Sequence, residues 1–240
     1  MKLTVQAQQG RCYKKVDYDS KEYLKYHIAE IKNMINNKIL EIEKMNDFKL
    51  KTICLYPLVE MFYQNEGSRK FDDFIEEFSS ENMLKEIDPI TLYYENFDKN
   101  NLKIDFLQQC TEYDWISIQK FEESKLIINQ AKNNLKTRYF DDHKYSRLIY
   151  KWRSKLIHEN SSPNTIFISM QNREVPIYYP QLETACGNLI TNYKLIFPYT
   201  FLKKLFLNII DNYLNFCYEN EINPIRHKKD YLSWYEGDHK

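Results

Sequence analysis

Glycine is scarce in this chain, with four in 240 residues, and proline numbers only seven. So few backbone punctuation points argue against an all-β or loop-rich protein. They also leave no glycine-rich phosphate loop: no P-loop, dinucleotide-binding fingerprint, G-x-S-x-G elbow or H-E-x-x-H pair occurs. Five cysteines (Cys12, Cys54, Cys110, Cys186, Cys217) are odd in number, far apart and free of any C-x-x-C spacing. That pattern excludes a disulfide framework or a zinc ribbon and reads as reduced thiols in a cytoplasmic protein. Net charge is absent too, since 34 Lys and Arg balance 34 Asp and Glu. Any nucleic-acid site must therefore be a local basic patch. Residues 1–19 hold no apolar run of signal-peptide type. The most apolar stretch, Leu195–Ile210, is interrupted by Pro198, Lys203 and Lys204, so no membrane span is expected.

What the chain does have is aromatic bulk, 20 Tyr and 14 Phe, and helical periodicity. Asp19-Ser-Lys-Glu22 is a capping box. Leu24, Ile28, Ile31, Ile35, Ile39 and Ile42 then predict an amphipathic helix over 20–45. A second helix is expected over 48–65 on Leu55, Val59 and Phe62, kinked at Pro57 and stopped by Gly67. Phe71, Phe74, Ile75 and Phe78 make a short third. Asp88-Pro89 marks a turn, and Leu92-Tyr93-Tyr94 suits strand or helix. Residues 115–137 read as helix, as do 141–158 and 199–218. Thr165–Met170 and Glu174–Tyr179 flank Gln171-Asn172-Arg173 as a β-hairpin, with Pro176 confining the second strand to an edge. Gln181–Tyr193 reads as helical despite Gly187, and 219–240 as a loose tail with a basic knot at Arg226-His227-Lys228-Lys229. The whole is one helical domain over 1–240.

The chemistry concentrates at Tyr150-Lys-Trp-Arg153-Ser154-Lys-Leu-Ile-His158-Glu159, just before the Ser161-Ser-Pro-Asn164 break. Tyr145, Leu148, Ile149, Trp152 and Leu156 share one broad helical face. Lys144, Arg147, Lys151 and Lys155 line another, either a phosphate track or ordinary solvated surface. RNA can be cut without metal when its 2′-hydroxyl attacks the adjacent phosphorus. A histidine has the pKa to take that proton, and an arginine offers a fixed fork of donors to phosphoryl oxygens. Ser154 can orient the histidine or hold a phosphate oxygen. The bland alternative is a histidine capping a helix end and an arginine paired with a carboxylate. Residues five apart stand about 140° apart on a helix, so Arg153 and His158 are not stacked.

This stretch, Arg153-Ser-Lys-Leu-Ile-His158, resembles the R-x4-6-H signature of the HEPN superfamily. Ser154 stands where that family often has asparagine. The resemblance implies an all-α, HEPN-like bundle, here with a small β-hairpin decoration at 165–179. It also implies a metal-independent endoribonuclease that needs no cofactor. Arg153, Ser154 and His158 would be catalytic, facing a second set across a homodimer cleft, and Arg147, Lys151 and Lys155 would bind RNA. A toxin or antiviral-defence role follows, with a cognate antitoxin or regulatory protein as partner. The alternative within the resemblance is a non-catalytic module that binds a nucleotide, an RNA or a protein.

Three other groups are read as structural. Asp72, Asp73, Glu76 and Glu77 have spacing that puts two carboxylates on one helix face, but a solvated face is the plainer reading. His27 reads as a packing residue, and His143, with Asp141 and Asp142, as part of a helix start.

Overall fold

The computed structural model describes residues 21–63, 70–96, 114–134, 140–158, 172–185 and 188–225. Its elements in order are α1 (Lys21–Glu43), α2 (Phe48–Tyr63), α3 (Phe71–Phe78), a short 3-10 turn (Asn82–Lys85), α4 (Pro89–Asn96), α5 (Trp115–Gln119) and α6 (Glu122–Asn134). Then come α7 (Tyr145–His158), β1 (Ile177–Ala185), β2 (Asn188–Ile196) and α8 (Tyr199–Glu219). The molecule is thus mostly helical with one antiparallel hairpin. Among the described residues, no helix is long and apolar enough to cross a membrane.

α8 is the central rod. Leu202, Leu205, Phe206, Ile209, Ile210, Tyr213 and Leu214 are all buried along it, packed on α1, α2 and α3. The α1 stripe falls as its spacing predicts: Leu24, Ile28, Ile31, Ile35 and Ile42 are buried, and Ile39 is partly so. All four apolar residues of α3 are buried. Phe74, Phe78 and Tyr213 form a triangle of rings with centroids 5.0–5.1 Å apart, the offset and edge-on packing that aromatic quadrupoles favour. α2 runs through Pro57, whose ring lies on the exposed side, where water can reach the carbonyl it leaves without a donor. Asp47 opens α2 by accepting from the backbone N–H of Lys49 and Leu50.

A second, smaller apolar cluster joins α4, α5, α6 and the hairpin through Ile90, Leu92, Ile118, Ile127 and Tyr193. Trp115 and Leu195 pack against both clusters. The Asp88-Pro89 turn is the start of α4: Asp88 Oδ2 accepts from Thr91 N–H at 2.8 Å, and Pro89 takes the first helical position, where no donor is needed. Leu92-Tyr93-Tyr94 is therefore helix.

Four expectations are corrected. The described hairpin pairs 177–185 with 188–196, so of the expected second strand, 174–179, only 177–179 is strand: the register runs from Ile177↔Ile196 to Ala185↔Asn188. Residues 172–176 form no strand, and the expected first strand, 165–170, lies outside the described residues. Within the expected helix 181–193, residues 181–185 and 188–193 are strand instead, because the two segments pair across one another. Over its described part, 115–134, the expected 115–137 helix is two, broken at Lys120-Phe121, where Ser124 Oγ donates to Ile118 O. The motif helix begins at Tyr145 because Lys144 is engaged in an antiparallel bridge to Ile87.

The first residues of the expected loose tail, 219–225, are held in place. Ile222 N–H bonds Cys217 O at 2.8 Å and Glu221 N–H bonds Tyr218 O, with Glu221 at φ 56°. That is a Schellman close of α8. It folds 220–225 back so that Ile222 and Ile225 pack on the core. The basic knot from Arg226 lies outside the described residues.

Candidate functional site

The R-x4-H stretch occupies the C-terminal half of α7, with His158 its last residue. α7 packs against α2 and α3 through Tyr145, Leu148, Ile149 and Leu156, all buried. Tyr56 Oη on α2 donates to the Ile149 carbonyl at 3.0 Å, fixing the two helices side by side. Burial pushes the Tyr56 phenol far up, so it stays a neutral donor.

Arg153 points into this α2–α7 seam. Its Nε lies 3.0 Å from Glu60 Oε1 and its Nη2 3.1 Å from Oε2, a two-pronged ion pair. The side chains are 28% and 12% exposed, so the pair is largely enclosed. Burial raises the Glu60 pKa, and the Arg153 charge partly offsets that.

Helix geometry puts the other named positions on the far side of α7. At about 100° per residue, positions 147, 151, 154, 155 and 158 fall within one arc of about 100°, roughly opposite position 153. Arg147 is committed to carboxylates, Asp72 at 3.2 Å and Asp142 at 3.5 Å. Lys144 pairs with Asp141 at 3.3 Å. Lys151 is half-buried and Lys155 exposed, and neither makes an ion pair among the described residues. Ser154 is half-buried. The His158 side chain and Glu159 lie outside the described residues. Within one chain, then, Arg153 is separated from the basic row, and the N-terminal half of that row is neutralised.

The acidic run on α3 divides. Asp73 and Glu77 are exposed as expected, but Asp72 and Glu76 turn to α7, where Glu76 accepts from Ser146 Oγ. A polar groove of about 680 Å³ opens here, lined by Asp72, Asp73, Glu76, Asp141 and Asp142 with three cations. Among the described residues, no group of three His, Cys, Asp or Glu side chains is placed to hold a metal ion. His27 stacks on Tyr23, as a packing residue would, and His143 is buried with Nε2 2.9 Å from Glu95. Cys54 and Cys217 are free thiols.

Two polar features carry no motif in the sequence. Glu60 is one; its only signal is a carboxylate one turn after Tyr56 in an otherwise apolar stripe. The other is a buried network around Asp88, which is 0% exposed. Asp88 Oδ1 accepts from Tyr178 Oη of β1 and, at 3.3 Å, from Tyr145 Oη of α7. The two phenols lie 2.5 Å apart. Gln119 of α5 donates to Tyr145 Oη and to Ile87 O. Burial raises the Asp88 carboxyl, while bonds from Thr91 and Tyr178 pull it down. This network ties the hairpin to the first residue of the motif helix.

Comparison of the chain with protein-family models, with curated proteins and with solved structures finds no match.

Proposed function

We propose that this chain is a HEPN-type, metal-independent endoribonuclease that works as a homodimer. The observation that carries the reading is the placement of the R-x4-H residues at the end of α7, with the arginine held in a fixed orientation by an enclosed carboxylate. A guanidinium so fixed loses little entropy on meeting a phosphate, as charge stabilisation during phosphoryl chemistry requires. In this reading His158 takes the 2′-hydroxyl proton, the 2′-oxygen bonds phosphorus, and the P–O5′ bond breaks, the 5′-oxygen taking its proton from solvent. Arg153 steadies the charge on the non-bridging oxygens, and Ser154 orients the histidine or holds a phosphate oxygen. Lys151 and Lys155 track the strand; Arg147, already paired, contributes less. Since positions 153 and 158 diverge on one helix, the second copy supplies the missing partner. The biological setting is that of a toxin or antiviral-defence effector restrained by a cognate antitoxin or regulatory protein.

RNA cleavage in EDTA by the wild type beside Arg153→Ala and His158→Ala tests this, with solution mass measured in parallel. Loss in both variants of a dimeric protein is expected. Cleavage that survives both removes the site.

The commitment of both Arg147 and Arg153 to carboxylates favours a second reading, a non-catalytic module that binds a nucleotide, an RNA or a protein. It predicts no cleavage by any form and an affinity that His158→Ala only weakens.

A further inference from the structure

We infer that Glu60 is the positioning residue of the RNA-cleaving site, holding Arg153 by one edge so that the opposite fork faces phosphate; the inference rests on the ribonuclease reading above. An arginine has five N–H donors in two forks, one side-on (Nε and Nη2) and one end-on (Nη1 and Nη2). Glu60 fills the side-on fork, with Nε–Oε1 at 3.0 Å and Nη2–Oε2 at 3.1 Å. Both Nη1 protons and the second Nη2 proton make no hydrogen bond among the described residues. These are the donors that match two non-bridging phosphate oxygens.

The surroundings suit orientation more than charge. Glu60 is 12% exposed and sits one turn beyond Tyr56, whose hydroxyl is bonded to the α7 backbone, so the carboxylate is mounted on the surface that fixes α7. Arg153 keeps 28% of its side chain open. Because Glu60 already neutralises the guanidinium, the pair adds little net attraction for RNA. Its contribution is to deliver the end-on fork in one orientation, an effect that belongs to the chemical step rather than to binding. Were Glu60 instead a competitor that withholds Arg153, removing its charge would speed cleavage. The two roles differ in sign.

Two measurements decide it. The first is RNA cleavage in EDTA by wild type, Glu60→Gln and Glu60→Asp, with thermal melting of each. Glutamine keeps the volume but turns a donor toward a donor. Glu60→Gln should lower kcat by on the order of tenfold to a hundredfold with KM nearly unchanged, and Glu60→Asp should restore part of it. A Glu60→Gln rate equal to or above wild type overturns the inference. The second needs no turnover: proton–nitrogen spectra of the arginine side chains during titration with an uncleavable 2′-O-methyl RNA oligonucleotide. Arg153 Nε–H should stay fixed while its Nη protons shift. An Nε–H that moves off Glu60, or an Arg153 that does not respond, overturns the inference. Should the wild type cut no RNA, the ribonuclease reading falls on the first measurement, and the second alone decides the role of Glu60.

Discussion

Asp88→Ala is the most informative test of how the hairpin and the motif helix are held together. The carboxylate is 0% exposed and does two jobs. It caps α4 through Thr91 N–H at 2.8 Å, and it accepts from the hydroxyls of Tyr145 and Tyr178. Loss of the cap costs about 1 kcal/mol. The two phenols, 2.5 Å apart, can pair with each other, so alanine strands one buried donor rather than two. A stranded donor costs about 1–3 kcal/mol. Release of the carboxylate's own burial penalty offsets part of this, leaving a net loss of about 1–3 kcal/mol. Tyr178→Phe alone should cost about 1–1.5 kcal/mol, and less in the Asp88→Ala background, because the shared acceptor has already gone. Urea unfolding, read as a midpoint shift at constant m, measures all three. An Asp88→Ala loss under about 0.5 kcal/mol, or strict additivity with Tyr178→Phe, would refute the network as a fastening. The pH dependence has a definite sign. The folded pKa of Asp88 is raised, so its contribution is greatest below the ordinary carboxylate range and is lost as pH rises through the raised value. The stability difference between wild type and Asp88→Asn should therefore grow as pH falls from 7; a difference that shrinks contradicts the assignment.

Three further outcomes follow from the packing. Glu60→Ala and Arg153→Ala should each cost about 2–4 kcal/mol, with a coupling of about 1–3 kcal/mol in the double-mutant cycle, since each strands a largely enclosed charge; coupling near zero would make the pair a surface contact. Phe74→Ala, at a side chain 0% exposed and ringed by Tyr63, Phe78 and Tyr213, should cost about 3–5 kcal/mol by urea unfolding. Asp114→Ala removes the acceptor for Ser117 N–H at the start of α5 and should cost about 1 kcal/mol, an effect that Asp114→Ser would largely spare.

The helices with strong stripes were legible in the sequence. Ile28, Ile31 and Ile35 of α1, the four apolar residues of α3, and Leu202, Leu205 and Ile209 of α8 lie where a 3.6-residue period puts them. In each case the local pattern and the buried face agree. The hairpin was misplaced because strands are specified by their partners. Leu182, Glu183 and Ala185 suit a helix locally, and only pairing with Ile190, Thr191 and Asn188 makes them a strand. The start of α7 was misjudged for a similar reason, since the bridge from Lys144 to Ile87 joins segments 57 residues apart.

At the site, the residues of α7 could be named from spacing, but their partners could not. Arg153 meets Glu60 across 93 positions and Arg147 meets Asp72 across 75, and no periodicity reports such pairings. The sequence did show that positions 153 and 158 diverge on one helix, and the structure adds what Arg153 faces instead. Asp88 was visible only as half of an Asp-Pro turn, because its burial depends on tyrosines from α7 and β1.

The most direct measurement for the ribonuclease reading compares an RNA at its mapped cut with the same RNA carrying a single 2′-deoxy nucleotide there, both in EDTA. Attack by the 2′-hydroxyl predicts a 2′,3′-cyclic phosphate end from the first and no cut in the second. A cut that persists at the deoxy position, or a wild type that leaves every RNA whole, contradicts it.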